Sequence, residues 1–307
     1  MGETMKKTIA SVVTFFLLCG TAIAAESPTV SINHTMGTVS VPLNPERVVV
    51  MDYGSLDTLD ALGITAHLAV PKSNLPAYLG RYKGEEYVDV GGLKEFNLET
   101  INAFKPGLIV ISGRQQDYYK ELSAIAPVLL ADNLAQDYVA AAKRNIDAVG
   151  EIFSAKDETD ARWNVLMEAA AAVKAKAAAK NLKALILLTN DGKISAYGSG
   201  SRFGIIHDEL GVPQADPKIK VGIHGQLVNY EYIAMVNPDI IFVVDRSAAV
   251  GGKADGVRLL DNALVAKTNA AKNNRIVALD PQYWYLSGGG LLSLAKMIGD
   301  VGDALER

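Results

Sequence analysis

Short apolar runs alternate with amphipathic stretches along most of the chain. Arg47-Val48-Val49-Val50-Met51 reads as a strand buried on both faces. Leu56 to Leu62 has helical spacing and is closed by Gly63. Leu108 to Ile111, Leu185 to Leu188 and Ile240 to Val244 read as further buried strands. Apolar strands separated by helices predict α/β layers with mostly parallel sheets.

The pattern also repeats. Asn97-Leu-Glu-Thr-Ile leads to Lys105-Pro106, the strand Leu108 to Ile111, and Arg114. Asn229-Tyr-Glu-Tyr-Ile leads to Asn237-Pro238, the strand Ile240 to Val244, and Arg246. Asn and Pro are nine residues apart in both copies, and Pro and Arg eight. The expected unit is a capped helix, a proline-bearing turn, a buried strand and a loop starting with Arg. Two such units predict two related lobes. Each Arg then falls just past the carboxyl end of a strand, where open α/β sheets bind ligands.

Between the halves, Asp157 to Lys180 is rich in Ala, Glu, Lys and Leu and has no Pro or Gly. Ser154 with Asp157 resembles a capping box at its start. A helix of about 25 residues spans roughly 37 Å and suits a stiff bridge. The expected organisation is a first lobe over 25–154, a bridging helix over 155–180 and a second lobe over 181–307.

The first 24 residues read differently. Lys6 and Lys7 precede a mostly apolar run from Ile9 to Leu18, followed by Ala22-Ile23-Ala24. This is the three-part pattern of a secretory signal peptide, with cleavage expected after Ala24. The run is too short for a permanent membrane helix. Lipid attachment at Cys19 is the alternative, but the preceding Leu18 is not the small residue such a site requires.

Composition narrows the function. Hydrophobic residues make up 49% of the chain, too many for a disordered one. A net charge of −4 argues against a general nucleic-acid binder. The single cysteine excludes an internal disulfide or a cysteine-rich metal site. If Cys19 leaves with the signal peptide, any site must use nitrogen and oxygen donors.

Candidate chemistry concentrates in the second half. His224 is flanked by Gly222 and Gly225, a loop that can bring a side chain close to a ligand. Tyr283-Trp284-Tyr285 lies between Asp280-Pro281 and the run Gly288 to Gly290. It is expected to be an exposed loop entering a helix, with Trp284 either at the site or packed on the sheet. Strand alternation would put Tyr283 and Tyr285 on one face. Gly288 to Gly290 is either an anion site at a helix start or a flexible entry to that helix. Arg114, Arg202 and Arg246 occupy similar loop starts. Lining one cleft, they would hold an anion through charge-assisted hydrogen bonds. His207, His67 and His34 are expected to be structural, on the surface and in an N-terminal hairpin, respectively. Dinucleotide, phosphate-loop, nucleophile-elbow and His-Glu-x-x-His motifs do not appear.

Several of these segments together resemble a known family. Asn44-Pro-Glu-Arg-Val-Val-Val, Leu56-Asp57-Thr-Leu-Asp-Ala-Leu-Gly63 and Lys105-Pro106 with Leu108 to Ile111 are similar to class III periplasmic substrate-binding proteins for iron–siderophores. Ser201-Arg202-Phe-Gly-Ile-Ile-His-Asp208, Gly222-Ile-His224-Gly225, Val243-Val-Asp-Arg246 and Tyr283-Trp-Tyr-Leu286 resemble the CeuE-like branch, which binds tetradentate catecholates. The resemblance covers the chain after residue 24. It implies two Rossmann-like lobes joined by one long helix, a monomer in the periplasm, and no enzymatic activity. It implies no intrinsic cofactor, with Fe(III) arriving as the siderophore complex. His224 and Tyr285 would bind the Fe(III), with Tyr283 as the alternative tyrosine. Arg114, Arg202, Arg246, Tyr283 and Trp284 would contact the siderophore. The implied partner is an ABC transporter permease with its ATPase, docked through one acid per lobe: Asp57 in the first, Asp208 or Glu209 in the second. The chemistry is consistent. Two catechols leave two of six positions on hard Fe(III) open, and an imidazole and a phenolate can fill them. Haem, corrinoid or hydroxamate cargo on the same fold is the alternative, and an exported enzyme acting on an anion is the other.

Overall fold

A computed structural model describes residues 28–132, 137–220, 222, 224–253 and 255–307. The expected signal peptide and Cys19 lie outside these residues. The described chain opens with an antiparallel hairpin of β1 (Thr29–His34) and β2 (Gly37–Pro42). Ile32 and Val41 from it cover one side of the first lobe.

The first lobe is built on a parallel sheet. Its strands are β3 (Arg47–Val50), β4 (His67–Val70), β5 (Val88–Asp89), β6 (Leu108–Ile111) and β7 (Val128–Leu130), in the order β5-β4-β3-β6-β7. Val48, Val49 and Val50 are fully buried because both faces of the sheet are covered. Helix α1 (Tyr53–Ala61) follows β3 directly, and Asp52 caps it by accepting from the Ser55 backbone N–H at 2.7 Å. Gly63 ends this segment at φ +62°.

The repeated unit folds the same way twice. Helix α2 (Leu98–Phe104) is capped by Asn97 Oδ1, which accepts from Thr100 N–H at 2.9 Å, and ends at Lys105 in the left-handed region. Two helices then lead out of the first lobe, α3 (Tyr138–Ile152) and α4 (Lys156–Lys180). Ser154 does not cap α4. It sits at φ +54°, and its hydroxyl accepts from Asn44 instead, so α4 begins without a side-chain cap. The buried face of α4 runs through Thr159, Leu166, Ala170, Val173 and Ala177, a spacing of threes, fours and sevens that makes one helical stripe.

The second sheet contains β8 (Ala184–Asn190), β9 (Lys193–Tyr197), β10 (Gln226–Val228), β11 (Ile240–Asp245) and β12 (Ile276–Leu279), ordered β10-β9-β8-β11-β12. Only β9 runs against the others, through a tight turn at Asp191 and Gly192. Helix α5 (Tyr230–Val236) repeats α2: Asn229 Oδ1 accepts from Tyr232 N–H at 2.9 Å, and Asn237 ends the helix left-handed. The last helix, α6 (Leu291–Ala304), packs on the second sheet, on α4 and on α1. The fold is thus two α/β lobes with mostly parallel sheets, spanned by helices that reach across the junction. Among the described residues no helix is long and apolar enough to cross a membrane.

Candidate ligand-binding cleft

Three arginines from separate elements meet at one tyrosine. Arg114 lies in a short 3-10 turn after β6 (Gly113–Tyr118), fixed by Ser112 and the buried Gln115. Arg202 comes from the turn after β9, and Arg246 follows β11. Arg114 and Arg202 both donate to the Tyr285 backbone carbonyl, at 2.8 and 2.9 Å. Arg246 Nε donates to the Tyr285 hydroxyl at 2.8 Å, and its Nη1 donates to Asn190 at 2.7 Å. These acceptors are all uncharged oxygens, so the positive charge of the cluster is not cancelled by them.

The electrostatics follow from this crowding. Arg202 stands 4.4 Å from the Tyr285 ring centroid, while Arg246 and Arg114 stand at 5.8 and 5.9 Å. Burial of the ring opposes ionisation of Tyr285, but Arg202, Arg246 and Arg114 together outweigh it and hold the phenol below the usual tyrosine range. Burial and the neighbouring Arg114 lower the pKa of Arg202. Among the described residues, the buried Arg202 Nε has no hydrogen-bond partner.

Above this cluster is a cleft of about 360 Å3 between the lobes. The first lobe contributes Asn74, the turn Gly91 to Glu95 and Arg114; the second contributes Arg246 and Tyr285. A separate, much smaller cavity is lined by Arg114, Arg202, Tyr138, Trp284, Tyr285 and Gly288. Tyr138 was not among the expected residues, and neither was Gln115, which donates to the Leu93 carbonyl and so ties the Gly91–Glu95 turn to the Arg114 segment. Nothing local in the sequence marks either of them.

The aromatic triplet is not an extended loop. Gln282–Leu286 forms a wide single-turn helix, so its rings diverge. Trp284 is 2% exposed, sits in the core of the second lobe and donates its Nε1–H to Asp300 at 2.9 Å. Tyr283 stacks on Tyr78 of the first lobe at 4.2 Å. Only Tyr285 of the two tyrosines turns to the arginines.

His224 lies in the exposed turn before β10. Its neighbour Gly225 is pressed against the Tyr197 ring, where a Cβ would come within 2.6 Å. Tyr197 packs on Phe203, next to Arg202. His207 is structural, with Nδ1 2.7 Å from the Val212 carbonyl.

The expected docking acids separate. Asp57 is 0% exposed, so it cannot meet a partner at the surface. Its carboxylate accepts from the backbone N–H groups of Leu292 and Ser293 at the start of α6, at 2.6 and 2.7 Å. The Gly288–Gly290 helix start, open in the sequence between an anion site and a flexible entry, is thus occupied by this side chain from the other lobe. Asp208 is exposed and bonded to Ser199 and the Gly200 N–H, and Glu209 beside it is half-buried.

Two α/β lobes with an arginine-lined cleft between them define the architecture of a substrate-binding protein. Comparison agrees: the family model for periplasmic binding proteins matches residues 48–283, and the chain belongs to that family. It is 44% identical over 268 residues to the petrobactin-binding protein YclQ of Bacillus subtilis (strain 168), covering 87% of this chain and 84% of that one. The YclQ crystal structure superposes with a TM-score of 0.89 over 92% of this chain and 100% of that one, at 41% identity. The ferric-anguibactin-binding protein FatB of Vibrio anguillarum is 32% identical over 282 residues, covering 90% of this chain and 87% of FatB. BauB, solved bound to a complex between two molecules of acinetobactin and ferric iron, matches with a TM-score of 0.83 at 31% identity, covering 91% of this chain and 99% of that chain.

Proposed function

We propose that this protein is an extracytoplasmic receptor that captures a ferric siderophore in the interlobe cleft and delivers it to an ABC importer. The observation that carries this reading is the convergence of Arg114, Arg202 and Arg246 on Tyr285. A ferric bis-catecholate is anionic, and three guanidinium groups complement it. Tyr285, whose phenol the arginines favour as phenolate, would enter one of the two open iron positions. His224, on its exposed turn, would reach the other. The relatives named for petrobactin, anguibactin and acinetobactin support the cargo class.

The test is a titration of the ligand-free protein with a synthetic ferric bis-catecholate, followed by protein fluorescence and by the charge-transfer absorption of the iron. Arg202→Ala should weaken binding to any anionic cargo. His224→Ala with Tyr285→Phe should change the absorption as well as the affinity. An unchanged spectrum in that double variant rules out direct coordination. Haem, corrinoid and ferric hydroxamate in the same assay separate the alternative cargoes, and consumption of any ligand would reveal an enzyme.

Docking on the permease through one acid per lobe is retained, but not through Asp57. The repeated helices α2 and α5 offer a symmetric pair. Glu99 and Glu231 occupy the same place in the first turn of each, and both are exposed.

A further inference from the structure

The contact between Asp57 and α6 frames the segment that carries Tyr285. Asp57 belongs to α1 of the first lobe, while α6 packs on the second sheet. Gly290, just before α6, lies so close that a Cβ there would come within 2.3 Å of the Gly54 carbonyl oxygen and 2.6 Å of Asp57 Cγ. From the same side, the Tyr78 hydroxyl meets Asp57 Oδ2 at 2.9 Å and Ser287 Oγ at 2.7 Å. Ser287 Oγ donates to the Gln282 carbonyl at 2.7 Å, and Ser293 Oγ donates to the Ser287 carbonyl at 2.9 Å. The Ala77 N–H reaches the Gln282 side chain, and Tyr78 stacks on Tyr283. The turn Gln282–Leu286 is therefore held at both ends by the first lobe, although its chain belongs to the second.

We infer that Asp57 is a positioning residue for the ligand cleft: by clasping the start of α6 across the lobe junction, it fixes Tyr285 between Arg114 and Arg202. Arg114 comes from the first lobe and Arg202 from the second, and both hydrogen bonds end on the one Tyr285 carbonyl. That geometry exists only while the junction is held. The carboxylate suits the task because it accepts two backbone N–H groups at the positive end of a 14-residue helix and a third bond from Tyr78. Tyr78 is the second half of the clasp, since it connects Asp57 with Ser287 and, through it, Gln282.

The inference rests on the reading of the cleft as the ligand site, and its test separates the two. Full-length protein is labelled with 3-fluorotyrosine, and the Tyr285 resonance is assigned through Tyr285→Phe. In the ligand-free protein, Asp57→Ala and Tyr78→Phe should each move the Tyr285 signal and shift its ionisation upward, as the phenol leaves the arginines. Both should also weaken binding of the ferric bis-catecholate about 10- to 100-fold, the range for residues that support a direct ligand. If wild type does not bind that complex, the cargo reading fails while the fluorine measurement still decides the role of Asp57. Tyr78→Phe removes a single oxygen and keeps the stacked ring, so it serves if Asp57→Ala does not fold. An unmoved Tyr285 signal with unchanged ionisation in a folded variant of either residue overturns the inference.

Discussion

Arg246 Nε and the Tyr285 hydroxyl are 2.8 Å apart, and the same guanidinium is held from behind by Asn190. This bond gives the phenol a cationic donor on its oxygen, while Arg202 lies near its ring. It ties the phenolic oxygen to the arginine cluster, so the charge of that cluster acts directly on the group proposed to meet the iron.

The first prediction concerns that coupling. Arg246→Gln keeps a donor near Tyr285 but removes the charge. The Tyr285 ionisation, depressed in the wild type by Arg202, Arg246 and Arg114 against the effect of burial, should move upward. Ultraviolet difference titration of both proteins, each compared with its Tyr285→Phe counterpart, reads this directly. An ionisation that stays in place would show that Arg246 has no electrostatic role there.

Asp57 gives a pH dependence with a definite sign. Burial pushes its pKa up to about 7, against the lowering by the Leu292 N–H, Tyr78 and Ser293. The folded pKa lies above the unfolded one, so the folded state binds more protons between about pH 4 and pH 7. Stability from this group therefore increases as pH falls through that window, by at most about 1.4 kcal/mol per pH unit. Denaturation of wild type and Asp57→Asn across the window should show the difference shrinking as pH rises. The titratable groups that sense Asp57 are Tyr78, Tyr138 and Tyr283, which remain neutral there.

Gly290→Ala tests the closeness of the lobes. The new methyl would meet the Gly54 carbonyl and the Asp57 carboxyl at distances real side chains do not reach. Neither neighbour is a free side-chain end, so the backbone must shift. A loss of about 1–3 kcal/mol is expected in urea denaturation. Gly299→Ala, with open space around its Cβ, is the control on the same helix and should not destabilise the protein.

Trp284 should behave as a core residue. Trp284→Phe removes the N–H bonded to Asp300, leaving that carboxylate with Lys296, and should cost about 1–3 kcal/mol. Its effect on ligand affinity should be small beside that of Arg202→Ala. A large loss of affinity without loss of stability would return Trp284 to the ligand surface.

Charge reversal at Glu99 and Glu231 should separate delivery from capture. Glu99→Lys with Glu231→Lys should leave ligand affinity unchanged and reduce iron uptake by cells that rely on this receptor. Equal uptake would direct attention to Asp208 and Glu209.

Much of the architecture was legible because it rests on local rules. The runs at Val48 to Val50, Leu108 to Ile111 and Ile240 to Val244 became central strands, since burial on both faces demands continuous apolar sequence. Asn97 and Asn229 capped their helices as the repeat required. The capping reading at Ser154 failed because a left-handed backbone there turned the hydroxyl toward Asn44. At Tyr283 to Tyr285, expected as an exposed loop, a wide helical turn separates the two tyrosines that strand alternation would have placed on one face.

The sequence by itself determined the alternation of strands and helices, the repeated unit, and the arginines at the ends of strands. These depend on periodicity, capping and composition, which act over a few residues. Only the tertiary structure decided which tyrosine meets the arginines and what Asp57 does. The first outcome joins Tyr285 to arginines 39 to 171 residues away, and the second joins segments more than 200 residues apart, where Asp57 meets Leu292 and Tyr78 meets Ser287. An aspartate on an amphipathic helix looks like a surface charge until a helix N-terminus from the other lobe is found lying on it.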